Sequence, residues 1–253
     1  MTLTGRVALI TGGAGGLGTA MAWAIAQEGA AVAVTYHHNR TRAETLVSAM
    51  RAAGHRATAV QGDLSTHQGP AALCAAVEEA LGPIDILVNN AGDWVDKPLL
   101  ELQDDEWDRL IHTDLRGTFL TIRAVAPGMV ERGWGRIVNV SSVASLNYVP
   151  GEGVYGVAKA GINHLTKSFA VELARHGVTV NAVAPGWTLP ADAPYPPDPA
   201  DFPQCADVPN GRPGHAREVA ALVCFLLGDH AAHITGQVLP VDGGLSAFMP
   251  KGR

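Results

Sequence analysis

The sequence predicts an α/β fold, a doubly wound parallel sheet of about seven strands with helices on both faces. Two observations predict it. Short runs of Val, Ile, Leu and Ala alternate with Ala-rich stretches of helical length. Strands that are apolar on both faces belong to a parallel sheet covered on both sides. A Gly-rich stretch, Thr11-Gly12-Gly13-Ala14-Gly15-Gly16-Leu17-Gly18, also separates the first strand from the first helix. A dinucleotide-binding turn requires that context. Together these give the Rossmann arrangement, whose ligands bind at the carboxyl ends of the strands.

The elements follow in order. Val7–Ile10 is an unbroken apolar run and forms the first strand; a helix spans 16–29 after the glycines. Ala31–Tyr36 is the second strand, followed by a helix over 40–53. Ala57–Gln61 and Ile84–Asn89 are the third and fourth strands, with a helix over 67–81 between them. A long helix covers 104–131, Arg136–Val140 is the fifth strand, and a second long helix covers 153–176. Val178–Ala184 is the sixth strand, 216–228 the last helix and Gln237–Val241 the seventh strand. One segment breaks the rhythm. Residues 187–210 carry prolines at 190, 194, 196, 197, 199, 203 and 209, so they form neither a regular helix nor a central strand. Following a strand end, this segment reads as a substrate lid over the crevice; a passive surface excursion is the alternative. No linker divides residues 1–253, which read as one domain.

Bulk properties exclude several classes. The chain has 253 residues, 47% hydrophobic and 17% charged, which suits a globular protein with a sizeable core. A net charge of −6 supplies no basic footprint for nucleic acid and disfavours membrane docking. The N-terminus has only a four-residue apolar run, unlike a secretory leader, and no stretch approaches the ~20 residues of a membrane span. Cys74, Cys205 and Cys224 are odd in number and scattered, which reads as reduced thiols in the cytoplasm. The ten histidines lack metal-ligand spacing, so no metal is expected.

Three motifs carry chemistry. In the first, glycines let the backbone approach a pyrophosphate while the helix N-terminus offers free N–H groups. Gly13, Gly15 and Gly18 fit GxGxxG; Thr11, Gly12, Gly16 and Gly18 fit TGxxxGxG. The second is Asn89-Asn90-Ala91-Gly92 at the fourth strand's end, suited to the adenosine side of a dinucleotide. Asp63, beside Leu64 after the third strand, offers an acceptor for an adenine amino group. Ordinary turn chemistry explains each of these equally well. The third is Tyr155 and Lys159, four apart on one helix face, with Ser142 just past the fifth strand. A phenol titrating near pH ~10 is a poor proton donor and acceptor at neutral pH. An ammonium at ~4 Å stabilises the phenolate by about 4 kcal/mol at an effective dielectric of ~20, and desolvation opposes it.

These pieces together resemble the short-chain dehydrogenase/reductase family over nearly the whole chain. TGGAGGLG matches its TGxxxGxG, and with it come Gly12, Gly16, Leu17 and Gly18 as cofactor-binding residues. NNAG matches as written, bringing Asn90, Ala91 and Gly92. Ser142, Tyr155 and Lys159 match its Ser…YxxxK active site. Val180 to Gly186 matches the strand ending in Pro185-Gly186 beside the nicotinamide, and residues 236–244 look like its GQ…VDGG signature. The resemblance implies Tyr155 as proton donor to a carbonyl or acceptor from an alcohol. It implies that Ser142 orients the substrate oxygen, and that Lys159 holds the nicotinamide ribose and lowers the tyrosine pKa.

Two positions depart from the family. Its N-x-x-G-x-F asparagine is Asp114 here. Asp keeps the main-chain carbonyl of a proton relay, loses the amide donor and adds negative charge. The relay then survives with Lys159 held more firmly charged; a capping or solvated aspartate is the alternative. After Pro185-Gly186 the run is Trp187-Thr188-Leu189-Pro190, with backbone contacts to the cofactor expected at Thr188. Trp94, Tyr148 and Trp187 are expected in a partly apolar substrate pocket.

NAD-preferring relatives of the fold carry an acid after the second strand. Here Tyr36 occupies that position and His37, His38, Arg40 and Arg42 follow, with no acid before Glu44. That favours NADP(H) over NAD(H), although Gly15 supplies no basic residue inside the glycine loop, and the charges could equally be a solvated helix start. The leading reading is an NADP(H)-dependent ketoreductase resembling 3-oxoacyl-[acyl-carrier-protein] reductases. The alternatives are an NAD-dependent dehydrogenase of a sugar, steroid or other secondary alcohol, and a non-catalytic cofactor-sensing protein. By resemblance a homotetramer is expected, assembled through the two long helices and through C-terminal edges. The run Val154, Val157, Ala158, Gly161, Ile162 and Leu165 fits either that interface or the monomer core.

Overall fold

The computed structural model describes residues 2–205 and 207–247. The strands are β1 (Val7–Ile10), β2 (Ala31–Tyr36), β3 (Ala57–Gln61), β4 (Ile86–Asn89), β5 (Gly135–Val140), β6 (Val178–Pro185), β7 (Thr188–Leu189), β8 (Gly214–His215) and β9 (Val238–Val241). Seven of them form one parallel sheet in the order β3-β2-β1-β4-β5-β6-β9. The helices are α1 (Gly16–Gln27), α2 (Arg40–Ala52), α3 (Gly69–Leu81), α4 (Asp104–Leu110), α5 (Gly117–Arg132), α6 (Gly153–Leu173) and α7 (Ala216–Leu227). The chain runs outward from β1 to β3, then returns to place β4 on the other side of β1. That reversal opens a crevice at the carboxyl ends of β1 and β4.

Strand alternation explains the two-sided core. In β1, Ala8 and Ile10 join one cluster and Val7 and Leu9 the other. On the first face Met21 and Ile25 of α1 pack with Val219, Val223 and Leu226 of α7. On the second, Leu73 and Val77 of α3 pack with Ile122 and Met129 of α5. A buried polar chain crosses beneath the crevice. Thr121 Oγ1 donates to Asn89 Oδ1 (2.6 Å), Asn89 Nδ2 to Asn139 Oδ1 (2.9 Å), and Asn139 Nδ2 to Thr166 Oγ1 (2.9 Å). It ties α5, β4, β5 and α6 together where no water competes.

One feature departs from the sequence pattern and two add detail to it. The helix expected over 104–131 is α4, a π-helical segment Ile111–Arg116, and α5. Such a segment carries i→i+5 bonding, which changes the direction of the side chains it holds. The Pro-rich segment contains two single 3₁₀ turns, at Pro199–Asp201 and Pro203–Cys205, and β7. Its base is clipped by the separate β7–β8 pair, where Thr188 faces Gly214 and Leu189 faces His215. The small apolar run on α6 divides: Val154, Ala158 and Ile162 are buried, whereas Val157 is half exposed.

His215 also anchors the Pro-rich segment. Its Nδ1 accepts from Arg217 N at 3.1 Å, capping α7, so Nε2 carries the proton and donates to Ala193 O at 3.2 Å. Arg212 closes the same base through a two-point contact with Glu218, at 2.6 and 3.1 Å.

Candidate active site

The glycine loop and NNAG turn are stitched to each other. Thr11 Oγ1 accepts from the Asn90 and Ala91 amides at 3.0 Å each. Asn90 Nδ2 donates to Thr11 O and Gly12 O, both at 3.0 Å. The Gly12 amide donates to Thr35 Oγ1 at 3.1 Å. Gly12 has φ +60°, and a Cβ there would lie 2.9 Å from Ala91 Cα. Gly18 is a packing glycine: its Cβ would fall 2.5 Å from Gly12 O. Gly16 approaches the Pro-rich segment, where a Cβ on it would lie 3.0 Å from Pro190 Cβ, and Ala191 N donates to Gly16 O. Gly13 instead faces inward, onto Val34. Crowding thus calls for glycine most strongly at Gly12, Gly13 and Gly18, and Gly16 is where the loop meets the Pro-rich segment.

Two cavities meet at this crevice. One of about 830 Å³ is lined by Gly12, Gly16, Leu17, Tyr36, His37, Asp63, Leu64, Asn90, Ala91 and Gly92 among others. The other, about 540 Å³, is lined by Ser142, Tyr155, Lys159, Pro185, Gly186, Thr188 and Trp94 among others. Leu17, Asn90, Gly92 and Asp93 line both, so the two are continuous. Gly18 lines neither. Tyr148 and Trp187 also lie outside them, contrary to expectation. Tyr148 sits in the exposed stretch before α6, and Trp187 is committed by its backbone to the base of the Pro-rich segment, its carbonyl accepting from Gly214 N.

Lys159 lines the smaller cavity, and Asp114, which lines neither cavity, backs it from behind. Lys159 and Asp114 are fully buried, with Nζ 3.1 Å from Asp114 Oδ2. The solvated alternative for Asp114 is therefore excluded: the π-helical segment carries it inward. Lys159 Nζ also donates to Val140 O at the end of β5 (3.1 Å) and sits 5.3 Å from the Tyr155 ring centre. Burial, the largest single effect, would push the lysine pKa down, but the Asp114 carboxylate and Tyr155 together outweigh it and hold Lys159 above its ordinary range. Burial pushes the Asp114 carboxyl up, opposed by Lys159 and by the Asp93 amide. That amide donates to Asp114 Oδ1 at 2.7 Å, while the Asp93 carboxylate pairs with Arg109 at 3.1 Å. Ser142 caps the 3₁₀ turn Val143–Ser145, its Oγ accepting from Ala144 N, which leaves its own proton to donate. Gly156 lets α6 close on this turn, since a Cβ there would lie 2.7 Å from Ala144 O.

Asp93 and Arg109 are site residues that the sequence pattern did not single out. Their roles depend on a turn meeting a π-helical segment 21 positions away, for which spacing carries no signal.

The larger cavity fits an anionic dinucleotide. The N-terminus of α1 has no side-chain cap and no acid in its first turn, so its amides face the cavity uncompensated. At the far end lie His37, His38 and Arg42. The two imidazoles lie with ring centres 3.7 Å apart and planes tilted by 38°, and His37 Nε2 is 3.7 Å from Asp63 Oδ2. Hydrogen bonds from Ser65 hold the Asp63 pKa below the usual carboxylate range, with His37 adding to the effect. Arg40 is engaged with Glu44 at 2.6 Å, whereas Arg42 has no ion-pair partner among the described residues. Also among the described residues, no cluster of metal-ligating side chains occurs and no helix is long and apolar enough to cross a membrane.

Comparison with known proteins gives a consistent picture. Residues 12–246 match a family model described as enoyl-(acyl carrier protein) reductase. The 3-oxoacyl-[acyl-carrier-protein] reductase of a Synechocystis strain is 40% identical over 254 residues, covering 97% of this chain and 99% of that protein. The crystal structure of an acetoin dehydrogenase from Enterobacter cloacae superposes with a TM-score of 0.89 at 35% identity, covering 100% of both chains. A double mutant of a Serratia marcescens short-chain dehydrogenase/reductase has a TM-score of 0.89 at 34% identity, covering 97% of this chain and 100% of that one.

Proposed function

This chain belongs to the short-chain dehydrogenase/reductase family and is an oxidoreductase, and from that premise we propose that it is an NADP(H)-dependent ketoreductase of the 3-oxoacyl-thioester reductase type. The observation that carries the reading is the convergence of Ser142, Tyr155 and Lys159 on one cavity, continuous with a second that suits a dinucleotide. A bound nicotinamide supplies the hydride in reduction and accepts it in oxidation. The chain's own residues handle the proton. The Tyr155 hydroxyl gives it to the carbonyl oxygen, or takes it from an alcohol in reverse. Ser142 donates a hydrogen bond that orients that oxygen. Lys159 would hold the nicotinamide ribose hydroxyls, with Pro185, Gly186 and Thr188 beside the ring. Gly12, Gly16 and Leu17 would hold the pyrophosphate, and Asp63, Leu64 and the NNAG turn the adenosine.

The 2′-phosphate preference rests on the end of β2. Tyr36 stands where an acid would bind a free ribose hydroxyl, and His37, His38 and Arg42 offer donors. Trp94 would bound the substrate, with the Pro-rich segment as a lid. The enzyme is proposed to work in the cytoplasm as a homotetramer assembled through the two long helices, with Val157 and Val171 exposed on α6. A second reading, an alcohol dehydrogenase working toward oxidation, draws support from the likeness to the acetoin dehydrogenase.

The test is NADPH and NADH oxidation across ketones and β-ketothioesters, with NADP⁺ and NAD⁺ reduction across alcohols in parallel. The expected result is turnover of a ketone or β-ketothioester with higher kcat/KM for NADPH. Tyr155→Phe should abolish turnover while cofactor binding persists. A clear NADH preference defeats the cofactor assignment, and near-normal reduction by Tyr155→Phe defeats the mechanism. Tight NADPH binding without turnover would leave a cofactor-sensing protein.

A further inference from the structure

Asp114 stands where relatives by resemblance carry asparagine, and its surroundings are built for a charge. Its Oδ1 accepts the Asp93 amide at 2.7 Å and its Oδ2 lies 3.1 Å from Lys159 Nζ, with the Asp114 and Lys159 side chains themselves buried. Gly92 is shaped to the pair: a Cβ there would lie 2.7 Å from Asp114 Oδ2 and 3.2 Å from Lys159 Nζ. A carboxylate and an ammonium this close form a unit of nearly zero net charge. Seen from the tyrosine, the field of such a unit falls off as a dipole rather than as a lone cation. The other charges around this pair do not restore the imbalance. Asp93, on the turn after β4, is neutralised by Arg109 of α4 at 3.1 Å. On α6 the ammonium beside the Tyr155 ring is Lys159 itself.

We propose that Asp114 offsets the charge of Lys159 at Tyr155, keeping the tyrosine protonated to higher pH than a lone lysine would allow. A protonated phenol is the form that donates to a carbonyl, and the phenolate is the form that accepts from an alcohol. The substitution therefore favours reduction over a wider pH range and confines oxidation to more alkaline pH. Asp114 is a positioning residue that acts through Lys159. The charge balance stands on geometry alone; its meaning for direction rests on the ketoreductase reading.

Phenolate absorbance is titrated in the cofactor-free full-length protein, with Tyr155→Phe as the blank that isolates one tyrosine. Asp114→Asn should lower the Tyr155 ionisation midpoint by about one pH unit and move the alkaline limb of ketone reduction the same way. Equal midpoints in the two proteins would overturn the proposal. If Asp114→Asn does not fold, the natural protein decides. A Tyr155 midpoint under about pH 8, some two pH units below a free phenol, would equally overturn it, and one at or above that value supports it. A normal titration shift without turnover on any carbonyl rejects the ketoreductase and keeps the charge balance; turnover without a shift does the reverse.

Discussion

Gly92 concentrates the chemistry of this site into one missing methyl group. It serves in the NNAG turn, but the atoms crowding it are the carboxylate and ammonium of Asp114 and Lys159. Both are buried, so neither can relax into water. An alanine must push the pair apart or tilt Lys159 away from Tyr155 and Val140. A displacement of about 1 Å in a catalytic arrangement costs on the order of 100-fold in rate. Gly92→Ala should therefore lose about that much kcat, with a smaller change in overall stability, because the turn itself tolerates a side chain. Steady-state kinetics beside a thermal melt checks this; a variant with near-normal kcat would show that the pair can shift freely. Gly12 differs in kind. It combines a positive φ with contact on Ala91, so its substitution strains the backbone and the turn together.

At the scale of elements, the buried chain Thr121–Asn89–Asn139–Thr166 holds the floor of the site in register. Asn139 is its centre, accepting from one neighbour and donating to the next. Asn139→Ala would leave Asn89 Nδ2 without its acceptor and Thr166 Oγ1 without its donor, and would open a small cavity. Unsatisfied buried groups cost about 1–3 kcal/mol each, so a loss of roughly 2–4 kcal/mol is expected in urea unfolding. A change below about 0.5 kcal/mol would mean that the chain is replaceable. These elements also mark what the sequence could and could not reveal. β1, β2 and β3 were legible to the residue, because apolar runs bounded by turn residues leave few alternatives. Tyr155 and Lys159 were legible because i and i+4 share a helix face whatever surrounds them. The π-helical segment was not: Ile111 to Arg116 has ordinary helical composition, and the contact its Asp114 makes with the turn after β4 is distant in sequence. The β7–β8 clip was likewise hidden, since two-residue strands 26 positions apart leave no periodicity. Where Tyr148 and Trp187 stand was hidden for a related reason: aromatic character says nothing about which side of a loop faces a cavity, and neither lines the two described here.

For the whole molecule, the decisive contrast is between a net charge of −6 and the Arg42 guanidinium lining the end of the larger cavity. An anionic cofactor approaching at random meets repulsion, and a phosphate group adds to it. Preference for the phosphorylated dinucleotide must come from a few groups close enough to act within the ~8 Å screening length at physiological salt. Arg40 is taken up by Glu44, and His37 is shared with Asp63, which leaves Arg42 as the cation best placed to contribute. Charge-assisted hydrogen bonds to a phosphate are about twice as strong as neutral ones, so a single arginine can set the preference. Arg42→Ala should cut kcat/KM for NADPH by about tenfold or more, equivalent to roughly 1.4 kcal/mol, and change that for NADH by less than about threefold. Raising ionic strength should weaken NADPH more than NADH in the natural protein, and the difference should shrink in the variant. Equal losses for both cofactors would place Arg42 on the shared part of the dinucleotide or in the stability of α2. No loss for either would return 2′-phosphate recognition to the pair His37 and His38.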